Sequence, residues 1–94
     1  MNEIPYKKYP KTQIESYEKI LESLGVKQAK VLQVVKNDLK MATNRMIANK
    51  LGWEINRVTG RVTELVNRGL LQSAGTYEDK ETNRTVTLWK YSHG

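Results

Sequence analysis

Residues 51–71 read LGWEINRVTGRVTELVNRGLL. Val58, Val62, Leu65 and Val66 stand at i, i+4, i+7 and i+8, which puts them on one stripe of a helix. Gly52 permits the positive φ of a tight turn before that helix, and Gly69 stops it. The spacing predicts a helix from Arg57 to about Asn67, with Asn56 as its cap. Its other side carries Arg57, Gly60, Arg61, Thr63, Glu64, Asn67 and Arg68. A short helix with an apolar back and a face of arginine, threonine, asparagine and glycine suits a DNA major groove. That groove is wide enough for a helix and lined with hydrogen-bonding base edges.

The elements on either side follow from similar patterns. Thr43 is placed to cap a short helix, Asn44 to Leu51, whose core side is Ile47, Ala48 and Leu51. Ala48 is small where the next helix must cross, and Trp53 is expected to pack beneath the turn. Val26 to Asn37 reads as an earlier helix with Val31, Leu32 and Val35 inward. Asn37 to Lys40 form a connector, and Met41 and Ala42 lead into Thr43. After Gly69, Leu70 to Tyr77 starts a strand, and Glu78 to Asn83 is a loop without an apolar residue. Arg84 to Tyr91 is β-branched and aromatic, with Val86 and Leu88 on one face, so a hairpin is expected.

The N-terminal quarter reads differently. Both prolines, Pro5 and Pro10, lie in Met1 to Lys11 and forbid a continuous helix there. An extended arm is expected, whose Tyr6, Lys7, Lys8 and Tyr9 could touch a nucleic-acid backbone or simply pack on the domain. Thr12-Gln13-Ile14-Glu15 has the form of a capping box. The helix it opens carries Ile14, Tyr17, Leu21 and Leu24 on one stripe and ends at Gly25. The chain therefore divides into an arm with an accessory helix, residues 1–25, and a main domain, residues 26–94. The accessory stripe must be buried somewhere, and residues 12–24 are the candidate surface for a homodimer.

Composition bounds the chemistry. Ninety-four residues suffice for one domain. There is no cysteine, which excludes disulfides and thiolate metal sites, and the sole histidine is His93. No metal site and no cofactor are expected. Without a glycine-rich phosphate loop or a paired-acid arrangement, an enzyme is not expected either. No apolar run is long enough for a membrane span and no signal-peptide core is visible, so a cytoplasmic protein is expected. The net charge is +6. Residues 43–69 hold five of the basic side chains, four of them arginine, against two acids. Arginine's planar fork suits phosphates and guanine edges.

Helix, short helix, glycine turn, basic helix and hairpin is the order of a winged helix-turn-helix domain. Residues 26–91 resemble that family in Ile47-Ala48, Leu51-Gly52, Val58, Val62, Leu65 and Arg68-Gly69-Leu70-Leu71. The ending Asn67-Arg68-Gly69-Leu70-Leu71 is similar to the bacterial regulator group that includes the MarR-type proteins. More narrowly, LGWEINRVTGRVTEL resembles the small winged-helix proteins of phages and integrated elements. The resemblance implies an α+β fold, mostly helical: a three-helix core with a β-hairpin wing, here preceded by an extra helix. It also implies that the helix 57–67 enters the major groove. Asn56, Arg57, Thr59, Gly60, Arg61 and Thr63 would then face bases, with Glu64 at the margin. Thr43, Asn44, Arg45 and Lys50 would meet phosphates. Arg61→Ala is expected to weaken a preferred site more than random DNA.

One feature departs from that pattern. The wing tip, Glu78-Asp79-Lys80-Glu81-Thr82-Asn83-Arg84, holds three acids and two bases, a poor partner for phosphate. Either Arg84, with Lys80, reaches DNA alone, or the wing turns to another protein. Two functions are therefore carried forward. The first is sequence-specific binding of double-stranded DNA by a small transcriptional regulator, or by a replication or recombination accessory of a mobile element. The second is a protein-interaction module that reads no DNA.

Overall fold

A computed structural model describes residues 17–92. The proline-containing arm, the capping box at Thr12, Ile14 and His93 lie outside the described residues. The first described helix, α1, covers residues 17–23. It is followed by α2, Val26–Gln33, which continues into a π-helical turn, Val34–Leu39. Strand β1 is Met41–Ala42, α3 is Asn44–Leu51, α4 is Ile55–Asn67, β2 is Leu71–Asp79 and β3 is Arg84–Tyr91.

Helices α2, α3 and α4 enclose one core. Val31, Leu32, Val35, Ile47, Val58 and Leu65 are wholly inaccessible, with Val62 and Leu71 nearly so. All but Leu71, which opens β2, are apolar positions of the helical segments, so burial follows the periodicity of the sequence. Thr43 caps α3, its hydroxyl accepting from the Met46 N–H at 3.2 Å. Gly52 then adopts φ +72°, a left-handed conformation that a side chain disfavours. This is the tight turn between α3 and α4. Trp53 packs against the core beside it, and its backbone N–H donates to the Ala48 carbonyl at 3.0 Å.

The wing is larger than a hairpin. Met41 pairs with Lys90 and Ala42 with Trp89, so the antiparallel sheet has three strands in the order β1-β3-β2. A two-residue strand is too short to show a periodicity, and its side chains read only as a lead into Thr43. Strand β2 also runs on to Asp79, two residues beyond its expected end, with a bulge between Ser73 and Thr76.

The accessory helix belongs to the same body. Tyr17, Ile20, Leu21 and Leu24 are half-buried against the core. Tyr17 meets Tyr91 of β3 edge to face at 5.7 Å, and the Lys36 ammonium lies 4.6 Å from the Tyr17 ring centre. At the other end of α1, Arg68 donates to the Ser23 hydroxyl at 3.2 Å. The described part of the stripe expected to serve a homodimer is thus partly covered within its own chain. The result is an α+β winged helix with an extra N-terminal helix. No helix among the described residues is long and apolar enough to cross a membrane.

Candidate nucleic-acid interface

Helix α4 begins earlier than its polar residues suggest. Glu54 is the extended residue before the helix, at φ −69° and ψ 145°, and no side chain caps it. The Arg57 and Val58 N–H groups both point to the Glu54 carbonyl. Asn56 therefore lies inside the first turn and is not the cap. Its side chain is exposed and stands on the outward face with Arg57, Thr59 and Thr63. Gly60 lies among them, and a β-carbon added there would meet nothing within 4 Å.

The side of α4 that faces α2 is closed by its own charges. Arg61 donates to Glu64 Oε2 at 2.8 Å, and Gln28 of α2 donates to Glu64 Oε1 at 2.6 Å. The Gln28 carbonyl oxygen accepts from the Gly25 N–H at 3.3 Å, so one amide ties the start of α2 to α4. The Gln28 bond, and then the Arg61 bond, hold the Glu64 carboxyl below its ordinary range. Arg61 was expected to read bases. Its guanidinium is instead turned along the helix to an acid three residues on, at the edge of the outward face.

The opposite side faces α3 and the wing, and it is tied by neutral groups. The Trp89 indole N–H donates to Asn44 Oδ1 at 3.0 Å. Asn44 Nδ2 in turn points to the Thr59 hydroxyl at 3.4 Å, a weak bond. That hydroxyl donates to the Ile55 carbonyl one turn back, at 3.0 Å. A relay therefore runs from β3 through the first residue of α3 into α4. Asn44, expected at phosphate, spends both ends of its amide on this relay. Thr43, also expected there, is buried and occupied as the cap.

Arg45 is committed as well. Its Nε meets Asp79 Oδ2 at 2.8 Å and its Nη1 meets Glu81 Oε1 at 3.3 Å. Asp79 is only 8% exposed, and its other oxygen accepts from the Glu81 N–H at 2.9 Å. The Arg45 bond, reinforced by the Glu81 N–H, holds the Asp79 carboxyl below its ordinary range. The wing tip is thereby pinned back onto α3. Asp79 and Glu81 thus share one arginine, while Glu78 stays exposed with no base partner among the described residues.

Of the expected contact residues, Asn56, Arg57, Thr59, Thr63, Lys50 and Arg84 remain exposed, with Gly60 open among them. Arg57, Lys50 and Arg84 have no acid partner among the described residues. A cleft of about 260 Å³ separates the wing from the start of α4, lined by Asn44, Arg45, Ile55, Val86 and Trp89. Among the described residues, no group of three or more histidine, cysteine or acidic side chains could hold a metal ion. The relay and the Asp79 latch were not foreseen. Thr59 at four residues from Ile55 was visible in the sequence, but nothing local joins Arg45 to a strand 34 residues on.

No family model matches the sequence, and no curated protein matches it. Solved structures do resemble the fold. A MarR family regulator from Neisseria meningitidis superposes with a TM-score of 0.59 at 16% identity, covering 99% of this chain and 64% of that one. The apo form of a ZitR mutant from Lactococcus lactis superposes with a TM-score of 0.52 at 22% identity, with the same coverage. The chain thus spans 64% of the length of each. At these identities the likeness is one of fold, and the fold it carries is the winged helix seen in MarR-type regulators.

Proposed function

We propose that the chain is a sequence-specific double-stranded DNA-binding protein that regulates transcription, with α4 lying in the major groove. The observation that carries this reading is the outward face of α4. Arg57 stands there without an acid partner among the described residues, beside Asn56, Thr59 and Thr63 and around an open Gly60. These are side chains that can reach base edges, on a helix that a winged fold projects from its surface. Lys50 at the end of α3 and Arg84 on the wing are the phosphate contacts, and the net charge of +6 supplies long-range attraction. The MarR family fold neighbour supports the regulatory role. The likeness to small phage and mobile-element proteins makes a regulator, or a replication or recombination accessory, of such an element the finer form of this reading. The chain acts by binding and not as an enzyme.

Selection from random duplexes at two salt concentrations tests this. Enrichment of one motif, with affinity falling steeply as salt rises, is the expected result. Retained folding with no duplex bound at low salt overturns it in favour of a protein-interaction module. That second reading keeps part of its motive, since Asp79 and Glu81 share the single charge of Arg45 and Glu78 has no base partner among the described residues. A homodimer through residues 12–24 would add to a helix whose stripe the core covers in part, with Glu18, Lys19 and Glu22 exposed beside it. Sedimentation of the intact chain shows whether a dimer forms.

A further inference from the structure

We propose that Thr59 reads the 5-methyl group of a thymine through its own methyl, with its hydroxyl held inward by the relay from the wing. The inference rests on the DNA-binding reading and adds the base chemistry that one position recognises. Threonine can present either a hydroxyl or a methyl to a base edge. Here the hydroxyl's hydrogen is already committed. The hydroxyl hydrogen is donated to the Ile55 carbonyl at 3.0 Å, and the hydroxyl oxygen faces Asn44 Nδ2 at 3.4 Å. The group has one hydrogen, and it is spent inward. It cannot donate to a guanine or adenine N7, to a guanine O6 or to a thymine O4. The oxygen keeps one lone pair that can accept from an adenine or cytosine amino group, and the residue is exposed, so its methyl is the apolar group it offers a groove.

The thymine methyl is the one apolar group on the major-groove edge of the bases, and a threonine methyl is a suitable contact for it. The open space at Gly60, the next residue, leaves room for a base edge to come close to the helix. Asn44 and Trp89 act as positioning residues. The indole N–H fixes Asn44 Oδ1 at 3.0 Å, which turns Nδ2 towards Thr59 and so holds the hydroxyl back from the groove.

The test takes the full chain and the duplex selected above, and replaces its thymines one at a time by deoxyuridine, which lacks only the methyl. At one position the wild type should lose about fourfold in affinity, the worth of one buried methyl-sized group. Thr59→Ser, which keeps the hydroxyl and drops the methyl, should be indifferent to the same replacement. Thr59→Val, which keeps the methyl and drops the hydroxyl, should stay sensitive. Asn44→Ala should reduce the thymine-to-uracil ratio at that position only, an effect that simple loss of stability would not produce. Sensitivity that survives in Thr59→Ser at every thymine overturns the assignment, as does a wild type indifferent to every replacement. A ratio unchanged in Asn44→Ala overturns the positioning role. If no duplex binds at all, the parent reading fails. Tight, uracil-blind binding removes only this inference.

Discussion

The outward face of α4 and the tip of the wing both looked like charged surfaces, and they end in opposite states. On α4, Arg57 stands exposed with no acid partner among the described residues. On the wing, Asp79 and Glu81 are drawn onto Arg45 of α3. A charge is available to a partner only if the fold has not already supplied its counter-ion. Position along the chain does not reveal this, because the counter-ion can come from a distant element. Arg45 and Arg61 both resemble Arg57 in sequence. One is taken by the wing, the other by its own helix.

The contrast collapses most completely if α4 leaves its seat. Leu65 is wholly buried in the stripe that holds the helix. Leu65→Ala should cost about 2–5 kcal/mol in urea unfolding, because the lost side chain leaves a cavity the surrounding helices fill only in part. A loss below about half a kcal/mol would mean that α4 is not docked as described.

Next in size is the difference between the two arginines of α4. Arg57→Ala should weaken the selected site by about 1–3 kcal/mol while affecting random duplex much less, as loss of a base contact does. Arg61→Ala should do less, because its guanidinium already has Glu64 as partner. This transfers to Arg57 the effect the sequence assigned to Arg61. Equal losses for the two variants would mean that Arg61 leaves Glu64 on binding.

Much of the fold was legible because it depends on near neighbours in the chain. The stripe of α4, the Thr43 cap and the Gly52 turn rest on residues within a few turns of one another, and the hairpin on two consecutive strands joined by a short polar loop. The site was legible only in outline. Which side chains lie on the face of α4 follows from helical spacing. Which of them are available depends on Gln28, Asn44, Asp79 and Trp89, and each of those meets its partner across more than thirty residues or from another element. Strand β1 was missed for the same reason, since two residues become a strand only when β3 pairs with them.

Gly60 sharpens the comparison by separating stability from binding. A glycine inside a helix costs roughly 1 kcal/mol relative to alanine. Nothing in the fold needs it, since a β-carbon there meets open space. Gly60→Ala should therefore stabilise the free chain by up to ~1 kcal/mol, a higher melting temperature in a thermal scan. The same change should weaken the selected site if a duplex comes close to the helix at that point. Opposite signs for the two effects mark a residue kept for clearance. A stabilised variant with unaltered affinity would make Gly60 a tolerated surface glycine.

The smallest effect concerns the latch on the wing side, and its sign can be worked out. Asp79 is held below the ordinary carboxylate range by Arg45 first and then by backbone N–H groups at Glu81 and Thr82. A carboxyl whose folded value is depressed contributes stability above its unfolded value and loses it as pH falls through the folded one. The latch should therefore be complete at neutral pH and should open at a lower pH than that at which an ordinary aspartate takes up its proton. Carbon-detected titration of the Asp79 carboxyl reads this directly. In Arg45→Ala the titration should move upward while staying below the ordinary range, since the backbone N–H groups remain. An Asp79 that titrates in wild type like an unfolded aspartate would mean the wing tip is not pinned. Its acids would then face solvent, and any approaching phosphate would meet them.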